Sequence, residues 1–339
     1  MKNLSIRPLL LLLPFLAIML TGCKGQKPAS ESSNGIDSTR ICAVRFSADS
    51  AYRFVKDQCD FGPRVPGSKA WEQCGNYIAG KFEGYGLKVV SQRTTIKAWD
   101  GKSLPCRNII AAYKPELAER VIVCAHYDSR PWADNDENPD NHRTPVMAAN
   151  DGASGIAVMM EIARNIHTLA PKVGVDFICF DVEDYGAPDW APDEVQQMGD
   201  TWCLGSKYWS ENPHAEGYAA RYGILLDMVG GQGARFYKES FSMQYASGIV
   251  DKVWAAAKAV GFGSYFVDAE GGMINDDHLP VNNVAKIPTI DIITCHPDCE
   301  QSSFGPTWHT VIDDMEHIDR NTLKAVGQTM VQVLYGEKE

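Results

Sequence analysis

Short apolar runs that alternate with helical patterns constrain the fold of this chain more than any other feature. Continuous apolar runs are typical of strands that are buried on both faces of a sheet. They span Asn108–Tyr113, Val121–Cys124, Val173–Phe180, Tyr222–Asp227 and Thr289–Ile293. Apolar residues recur at helical spacing over Ser154–Leu169, Ser242–Val260 and Asn321–Leu334. The alternation predicts an α/β fold with an open sheet covered by helices.

The first 22 residues have the pattern of a secretory signal. Lys2 and Arg7 precede the apolar run Leu9–Leu20, which is too short to span a bilayer as a helix. The run ends in Leu-Thr-Gly-Cys, which resembles a bacterial lipoprotein cleavage box. That resemblance implies lipidation of Cys23, and the alternative is an ordinary signal with a chance cysteine. We therefore expect an exported lipoprotein on the periplasmic side of a membrane, and we favour the outer membrane.

Residues 23–43 are rich in Ser, Gly, Lys and Pro, which is typical of a flexible tether. Residues 44–339 then suit one large domain, which we expect to be a monomer. Loss of Lys2 and Arg7 would take the formal net charge from −11 to −13. An acidic chain without a basic cluster is a poor candidate for binding nucleic acid.

The chain has 10 cysteines, so lipidation of one leaves an odd number. Cys124 and Cys179 lie in apolar runs, where a cysteine packs as a small hydrophobe. Cys295 and Cys299 are close enough in sequence to form a disulfide in an exported protein. Only one short Cys pair exists, which disfavours a zinc ribbon.

Polar residues follow the predicted strands at the point where each strand ends. In open α/β sheets, ligands bind beyond the carboxyl ends of the strands. The residues at such positions are His126, Asp128, Asp151, Glu183, Asp184, Asp227 and His309. We therefore expect these side chains to converge at one edge of the sheet.

The adjacent pair Glu183 and Asp184 divides into two roles. Neighbouring residues at a strand end point in different directions, so one can bind a metal while the other moves protons. A catalytic zinc site uses three His or carboxylate ligands and leaves a fourth position open. Taken singly, Asp151 in Asn-Asp-Gly is more often a turn or helix cap, and His309 is more often a hydrogen-bonded loop residue.

The set of motifs resembles the zinc aminopeptidase superfamily, and within it the animal-like glutaminyl-peptide cyclotransferases with relatives in the Bacteroidetes. The segments that carry this resemblance are Phe-Gly-Pro-Arg at 61–64, Ala-His-Tyr-Asp-Ser-Arg at 125–130, Ala-Asn-Asp-Gly-Ala-Ser-Gly at 149–155, Phe-Asp-Val-Glu-Asp at 180–184, Leu-Leu-Asp at 225–227, Asn-Asp-Asp-His at 275–278 and Trp-His-Thr at 308–310. The resemblance covers nearly all of residues 45–339. It implies a single zinc aminopeptidase-like domain with a mostly parallel mixed sheet.

The resemblance also implies a site and a reaction. One Zn²⁺ would be held by Asp151, Asp184 and His309, with Glu183 as the proton shuttle. Asp227 and Asp276 would form a hydrogen-bonded acidic pair, although Asp276 could instead belong to an acidic surface loop. The pocket walls would be Phe304, Trp308 and a further tryptophan, for which Trp202 is preferred over Trp190. The substrate would be a peptide with an N-terminal glutamine, which is cyclised to pyroglutamate with release of ammonia.

Two positions depart from the animal enzymes. Asp184 stands where they have Glu, and Asp291 stands where they have His. The shorter Asp184 side chain requires a closer approach of the backbone to the metal. Neither change removes an oxygen ligand or the shuttle.

Two other functions stay open from the sequence. A second Zn²⁺ on His126, Asp151 and Asp227 would make the protein a two-zinc aminopeptidase. A non-catalytic, lipid-anchored peptide-binding protein is the third candidate, and the intact Glu183 argues against it.

Overall fold

The computed structural model describes residues 40–198 and 201–338. The expected signal segment, Cys23 and residues 23–39 of the expected tether lie outside the described residues. Within the described ranges, no helix combines the length and the apolarity needed to cross a membrane.

The strands are β1 (Lys88–Lys97), β2 (Ser103–Tyr113), β3 (Arg120–His126), β4 (Gly174–Phe180), β5 (Tyr222–Asp227), β6 (Phe236–Lys238), β7 (Phe266–Glu270) and β8 (Thr289–Ile293). The main sheet has six strands in the order β1-β2-β4-β3-β5-β8, and β6 pairs separately with β7. Strands β4, β3, β5 and β8 are mutually parallel. β2 pairs antiparallel with β4, and β1 pairs antiparallel with β2. The predicted α/β class and mixed sheet are confirmed.

The helices of the described chain are α1 (Ala48–Cys59), α2 (Lys69–Gly84), α3 (Ala153–Arg164), α4 (Ile166–Leu169), α5 (Asp193–Gln196), α6 (Leu204–Glu211), α7 (Ser240–Ala259), α8 (His278–Asn283) and α9 (Arg320–Gly336). The helical pattern predicted over Ser154–Leu169 is confirmed, but it is divided into α3 and α4. The break falls at Asn165. Its side-chain amide donates to the backbone carbonyl of Glu161, and its backbone N–H donates to the carbonyl of Ile162 instead of that of Glu161. A side chain that binds the backbone in this way competes with the helical hydrogen-bond pattern.

Side chains alternate between two cores along each central strand. On β3, Val121 and Val123 pack with α3 and α9 residues, while Ile122 and Cys124 pack on the other face with Trp209 of α6 and Val281 of α8. Because both faces are covered by helices, the central strands are apolar throughout, as their sequences predict.

The sheet positions the candidate site. β3, β4, β5 and β8 run parallel, so His126, Phe180, Asp227 and Ile293 end them at one edge. The loops that follow these strands therefore meet.

All nine cysteines among the described residues are free, including Cys295 and Cys299. Cys124 and Cys179 are fully buried in the two cores. The structure therefore contains no Cys295–Cys299 disulfide within its described residues.

Candidate active site

All nine side chains that the sequence assigns to metal binding, proton transfer and substrate contact line one cavity of about 260 Å³. They are Asp151, Glu183, Asp184, Trp202, Asp227, Asp276, Phe304, Trp308 and His309. The cavity lies at the carboxyl edge of the parallel strands, where the loops after β4, β5 and β8 meet the segment before α3.

Asp151, Asp184 and His309 come together as a possible ligand set. One ligand atom from each lies within 4.8 Å of the others, and all three residues are buried. Nε2 of His309 is 3.1 Å from Oδ1 of Asp184 and 3.7 Å from Oδ2 of Asp151. Asp151 is not a helix cap, since Gly152 occupies the N-cap of α3 and no side chain caps this end.

Backbone hydrogen bonds hold the loop that carries Glu183 and Asp184 in place. The Asp128 carboxylate accepts the N–H groups of Glu183 and Asp184, each at 3.1 Å. The preceding residue, Val182, has φ +53°, which is an outlier for a β-branched residue. This turn, fixed by Asp128, directs Glu183 and Asp184 differently although they are adjacent.

A second carboxylate, that of Asp313, holds Asp151. It accepts the N–H groups of Asn150 at 2.7 Å and Asp151 at 3.1 Å. Gly152 follows, and a Cβ there would lie only 2.5 Å from Nε2 of His126. The close approach of this backbone to His126 therefore requires glycine at position 152.

The Glu183 carboxylate faces the cavity without belonging to the ligand set. Its Oε1 is 3.4 Å from the Cys203 thiol, and its Oε2 is 4.0 Å from Nδ1 of His126. Burial raises the pKa of Glu183 well above its ordinary value; the His126 charge opposes this and the Asp184 charge adds to it. A carboxyl group with a raised pKa is suited to both accept and return a proton.

His126, Asp151 and Asp227 form a second cluster, as the two-zinc alternative requires. Nε2 of His126 lies 2.9 Å from Asp151 and 3.2 Å from Asp227. Burial lowers the pKa of His126, but the adjacent carboxylates of Asp128, Asp151 and Asp227 outweigh burial and raise the pKa well above 6.5. The two clusters share Asp151.

The expected pair Asp227 and Asp276 is part of a larger acidic group. Asp276 is buried rather than exposed in a surface loop. Burial and then the charge of Asp227 raise its pKa to about 7. Asp291 joins them: burial and the charges of Asp276 and Asp227 raise its pKa well above 3.8. Carboxyl groups this close disfavour one another's ionised form, so burial and mutual repulsion both raise their pKa values.

Aromatic rings close the cavity around His309. The imidazole lies between Trp308, at 3.7 Å between ring centroids, and Trp202, at 5.7 Å. Phe304 packs on Trp308 at 5.0 Å. Trp190 lies elsewhere, against Trp132. Trp202, rather than Trp190, is therefore the second tryptophan that lines this cavity, beside Trp308.

Sequence reasoning missed Cys203, Arg130, Asp134 and Asp313, which all contact residues of the site. Cys203 follows Trp202 and begins the turn into α6. Arg130 and Asp134 form a buried ion pair at i,i+4 spacing in the loop after β3. For Arg130 and Asp134, the only signal in the sequence is that they lie close to His126.

The ligand set fits a zinc ion. Both carboxylate oxygens of Asp184 are buried without a hydrogen-bond partner. A buried charge of this kind is costly unless a cation compensates it. Two carboxylates and one imidazole are a ligand set that Zn²⁺ uses at catalytic sites.

Residues 108–334 match the model of peptidase family M28, and the chain belongs to this family. The resemblance predicted from the motifs is thereby confirmed.

Solved structures that are similar to this chain include both a glutaminyl cyclase and a leucine aminopeptidase precursor. A Bacteroides thetaiotaomicron glutaminyl cyclase bound to N-acetylhistamine is 53% identical with a TM-score of 0.85, over 87% of this chain and 99% of that chain. A leucine aminopeptidase precursor from the same organism is 52% identical with a TM-score of 0.84, over 88% and 100%. Among curated relatives, aminopeptidase YwaD of Bacillus subtilis is 27% identical over 68% of this chain, which spans 44% of that relative.

Proposed function

We propose that this chain is a zinc-dependent glutaminyl-peptide cyclotransferase. It would convert an N-terminal glutamine to pyroglutamate and release ammonia. The observation that carries the proposal is the cavity itself. It holds Glu183 beside the ligand set but outside it, under three aromatic rings. Its volume of about 260 Å³ suits one folded side chain. The 53% identity to a glutaminyl cyclase supports the same conclusion.

The reaction needs no nucleophile from the protein. The α-amine nitrogen of the substrate bonds to the side-chain amide carbon, and the bond from that carbon to the amide nitrogen breaks. Glu183 accepts a proton from the attacking amine and returns one to the departing nitrogen, which leaves as ammonia. Asp151, Asp184 and His309 would hold a zinc ion, which would supply a Lewis acid able to stabilise negative charge on the amide oxygen.

The acidic group positions the amine. Asp227 and Asp276 line the cavity together with Glu183. With its pKa raised to about 7, Asp276 can donate as well as accept a hydrogen bond, so the group can offer both to the substrate. The amine and the amide carbon belong to one glutamine, so the pocket contributes by holding them in a near-attack geometry.

The aromatic walls limit the entry of water. Trp202, Phe304 and Trp308 shape the space around the ligand set. Exclusion of water favours ring closure over hydrolysis of the side-chain amide.

A two-zinc aminopeptidase is the second candidate. The observation in its favour is the cluster of His126, Asp151 and Asp227, which adjoins the first ligand set. Hydrolysis would release the first residue of the peptide, whereas cyclisation leaves the peptide bond intact. The products therefore separate the two functions.

The test uses purified protein, Gln-Phe as substrate and mass spectrometry of the products. We expect pyroglutamyl-Phe and one equivalent of ammonia, with loss of turnover after treatment with a chelator and recovery on addition of Zn²⁺. N-acetyl-Gln-Phe is the matched control, because its blocked amine cannot attack. Free glutamine and phenylalanine as the products would overturn the proposal in favour of the peptidase.

We further propose that the protein is exported and anchored through a lipid on Cys23. The support is the charged start, the apolar run and the Leu-Thr-Gly-Cys sequence. Cys23→Ser should move the protein from the membrane fraction to the soluble fraction of its host. Unchanged membrane association would contradict the anchor.

A further inference from the structure

The buried side chain of Arg130 lies between the proposed metal ligands and the aromatic wall of the cavity. The side chain of Arg130 is only 1% exposed. Its Nε donates to Asp134 at 2.6 Å and its Nη2 donates to the other oxygen of the same carboxylate. Its Nη1 donates to the backbone carbonyls of Asp184 at 3.1 Å and Gly186 at 3.3 Å. One guanidinium thus connects the loop after β3 to the loop after β4.

The same ion pair reaches two members of the ligand set. Nη1 of Arg130 lies 3.7 Å from Oδ1 of Asp184. Oδ1 of Asp134 lies 3.5 Å from Nδ1 of His309, while Nε2 of that ring faces Asp184. A carboxylate beside Nδ1 favours the tautomer with its proton there and leaves the Nε2 lone pair free for a metal.

The guanidinium also stacks on the cavity wall. Its Cζ is 4.5 Å from the ring centroid of Trp202, and that ring lies parallel to His309, with an interplanar angle of 7°. The backbone of Gly186 leaves no space for a side chain, since a Cβ there would be 2.0 Å from the Trp202 ring. Trp202 is therefore held between Arg130, Gly186 and His309.

We propose that Arg130 is a positioning residue that couples metal retention to the shape of the substrate pocket. It fixes Asp184 directly, His309 through Asp134, and Trp202 by stacking. The pocket part of the inference rests on the proposed function, whereas the metal part does not.

Lysine cannot replace this arrangement. An ammonium group lacks the planar fork that bonds both oxygens of one carboxylate, and it stacks less well on an aromatic ring. Arg130→Lys keeps the charge and removes the geometry. Asp134→Asn keeps the shape and removes the carboxylate that faces His309.

The chain offers a matched control in Arg120. It is also buried and forms a two-oxygen pair, with Asp176 at 2.6 Å. It begins β3, at the opposite end of the strand from His126. Arg120→Lys therefore tests the loss of an equivalent buried pair away from the site.

The experiment measures Zn²⁺ affinity by chelator competition on the three variants, thermal unfolding without metal, and KM and kcat for Gln-Phe. We expect Arg130→Lys and Asp134→Asn to weaken Zn²⁺ binding about 10- to 100-fold. Arg130→Lys should also raise KM, because Trp202 loses its support. Arg120→Lys should lower the unfolding temperature and leave Zn²⁺ affinity unchanged.

Wild-type Zn²⁺ affinity in both site variants would overturn the inference, as would an equal loss in Arg120→Lys. Should Arg130→Lys fail to fold, Asp134→Asn carries the same metal test. The affinity measurement needs no substrate, so it stands whether the protein cyclises or hydrolyses peptides. Absence of cyclisation in the wild type would instead count against the proposed function.

Discussion

The thiol of Cys203 lies 3.4 Å from Oε1 of Glu183 and donates a hydrogen bond to it. Burial and the charge of Glu183 raise the pKa of Cys203 well above 9.0, so the group stays a thiol and a donor. The second oxygen, Oε2, is left to face His126 and the cavity. The thiol thus fixes the rotation of the proposed proton shuttle.

Cys203→Ala should lower kcat and leave KM nearly unchanged. A thiol is a weak donor, so its lost hydrogen bond costs on the order of 1 kcal/mol, which is roughly a five-fold loss of rate. Cys203→Ser should restore most of the rate, because a hydroxyl also donates. Cys74→Ala removes a buried thiol of α2 that is not part of the cavity; an equal loss of kcat there would show that Cys203 acts only through stability.

Glu183→Gln should retain zinc and lose activity by about 10²- to 10⁴-fold. The amide keeps the size of the side chain and removes its ability to carry a proton. Steady-state kinetics with metal analysis of the same sample checks both parts. Near-normal turnover in this variant would remove Glu183 from the mechanism.

His309→Ala should lose zinc together with activity, since it removes the nitrogen ligand of the proposed set. Metal content after dialysis against a weak chelator is the measurement. His317→Ala is the control, because His317 is partly exposed and pairs with Asp314. Full zinc occupancy in His309→Ala would mean that His309 is not a ligand.

Stability at acid pH should depend on Glu239, which is buried at the start of α7. Its carboxylate accepts the N–H groups of Phe241 at 2.8 Å and of Ile274, in the cavity wall, at 3.1 Å. Burial raises its pKa, but the His278 imidazole, whose Nε2 lies 3.4 Å from Oε2 of Glu239, outweighs burial and lowers the pKa to about 2.

Because this pKa is below the ordinary value of 4.5, the stabilisation is present above pH 4.5 and is lost as the pH falls towards 2. The free energy of unfolding that is lost between pH 6 and pH 3 should be on the order of 2 kcal/mol. Urea unfolding of metal-free protein between pH 6 and 3 measures it. Glu239→Gln should be less stable at pH 6 and should show a flatter decline; an unchanged slope would contradict the assignment.

The buried strands were predictable because covered strands require continuous apolar runs. Tyr222–Asp227 and Thr289–Ile293 agree with β5 and β8 at both ends. β1 was not predicted, since this edge strand alternates exposed and half-buried residues and lacks an apolar run. The break at Asn165 was missed because it arises from a side-chain bond to the backbone, which hydrophobic spacing does not report.

The convergence of the site was also predictable in outline. Asp184, Asp227 and His309 follow parallel strands, and the carboxyl ends of parallel strands share an edge. The choice of Trp202 over Trp190 depended on the fold of the loop after β4, where spacing alone is ambiguous. The addition of Asp291 to the acidic group required the register of β8 beside β5.

The sequence by itself determined the α/β class and the residues available for the chemistry. This is because the spacing of apolar residues and the chemical type of each side chain are local properties of the chain. Only the tertiary structure decided which side chains support them. Cys203 reaches Glu183, and Arg130 reaches Asp184, Trp202 and, through Asp134, His309, across loops that are distant in sequence. Such contacts depend on how separate loops pack together, and no local pattern records that packing.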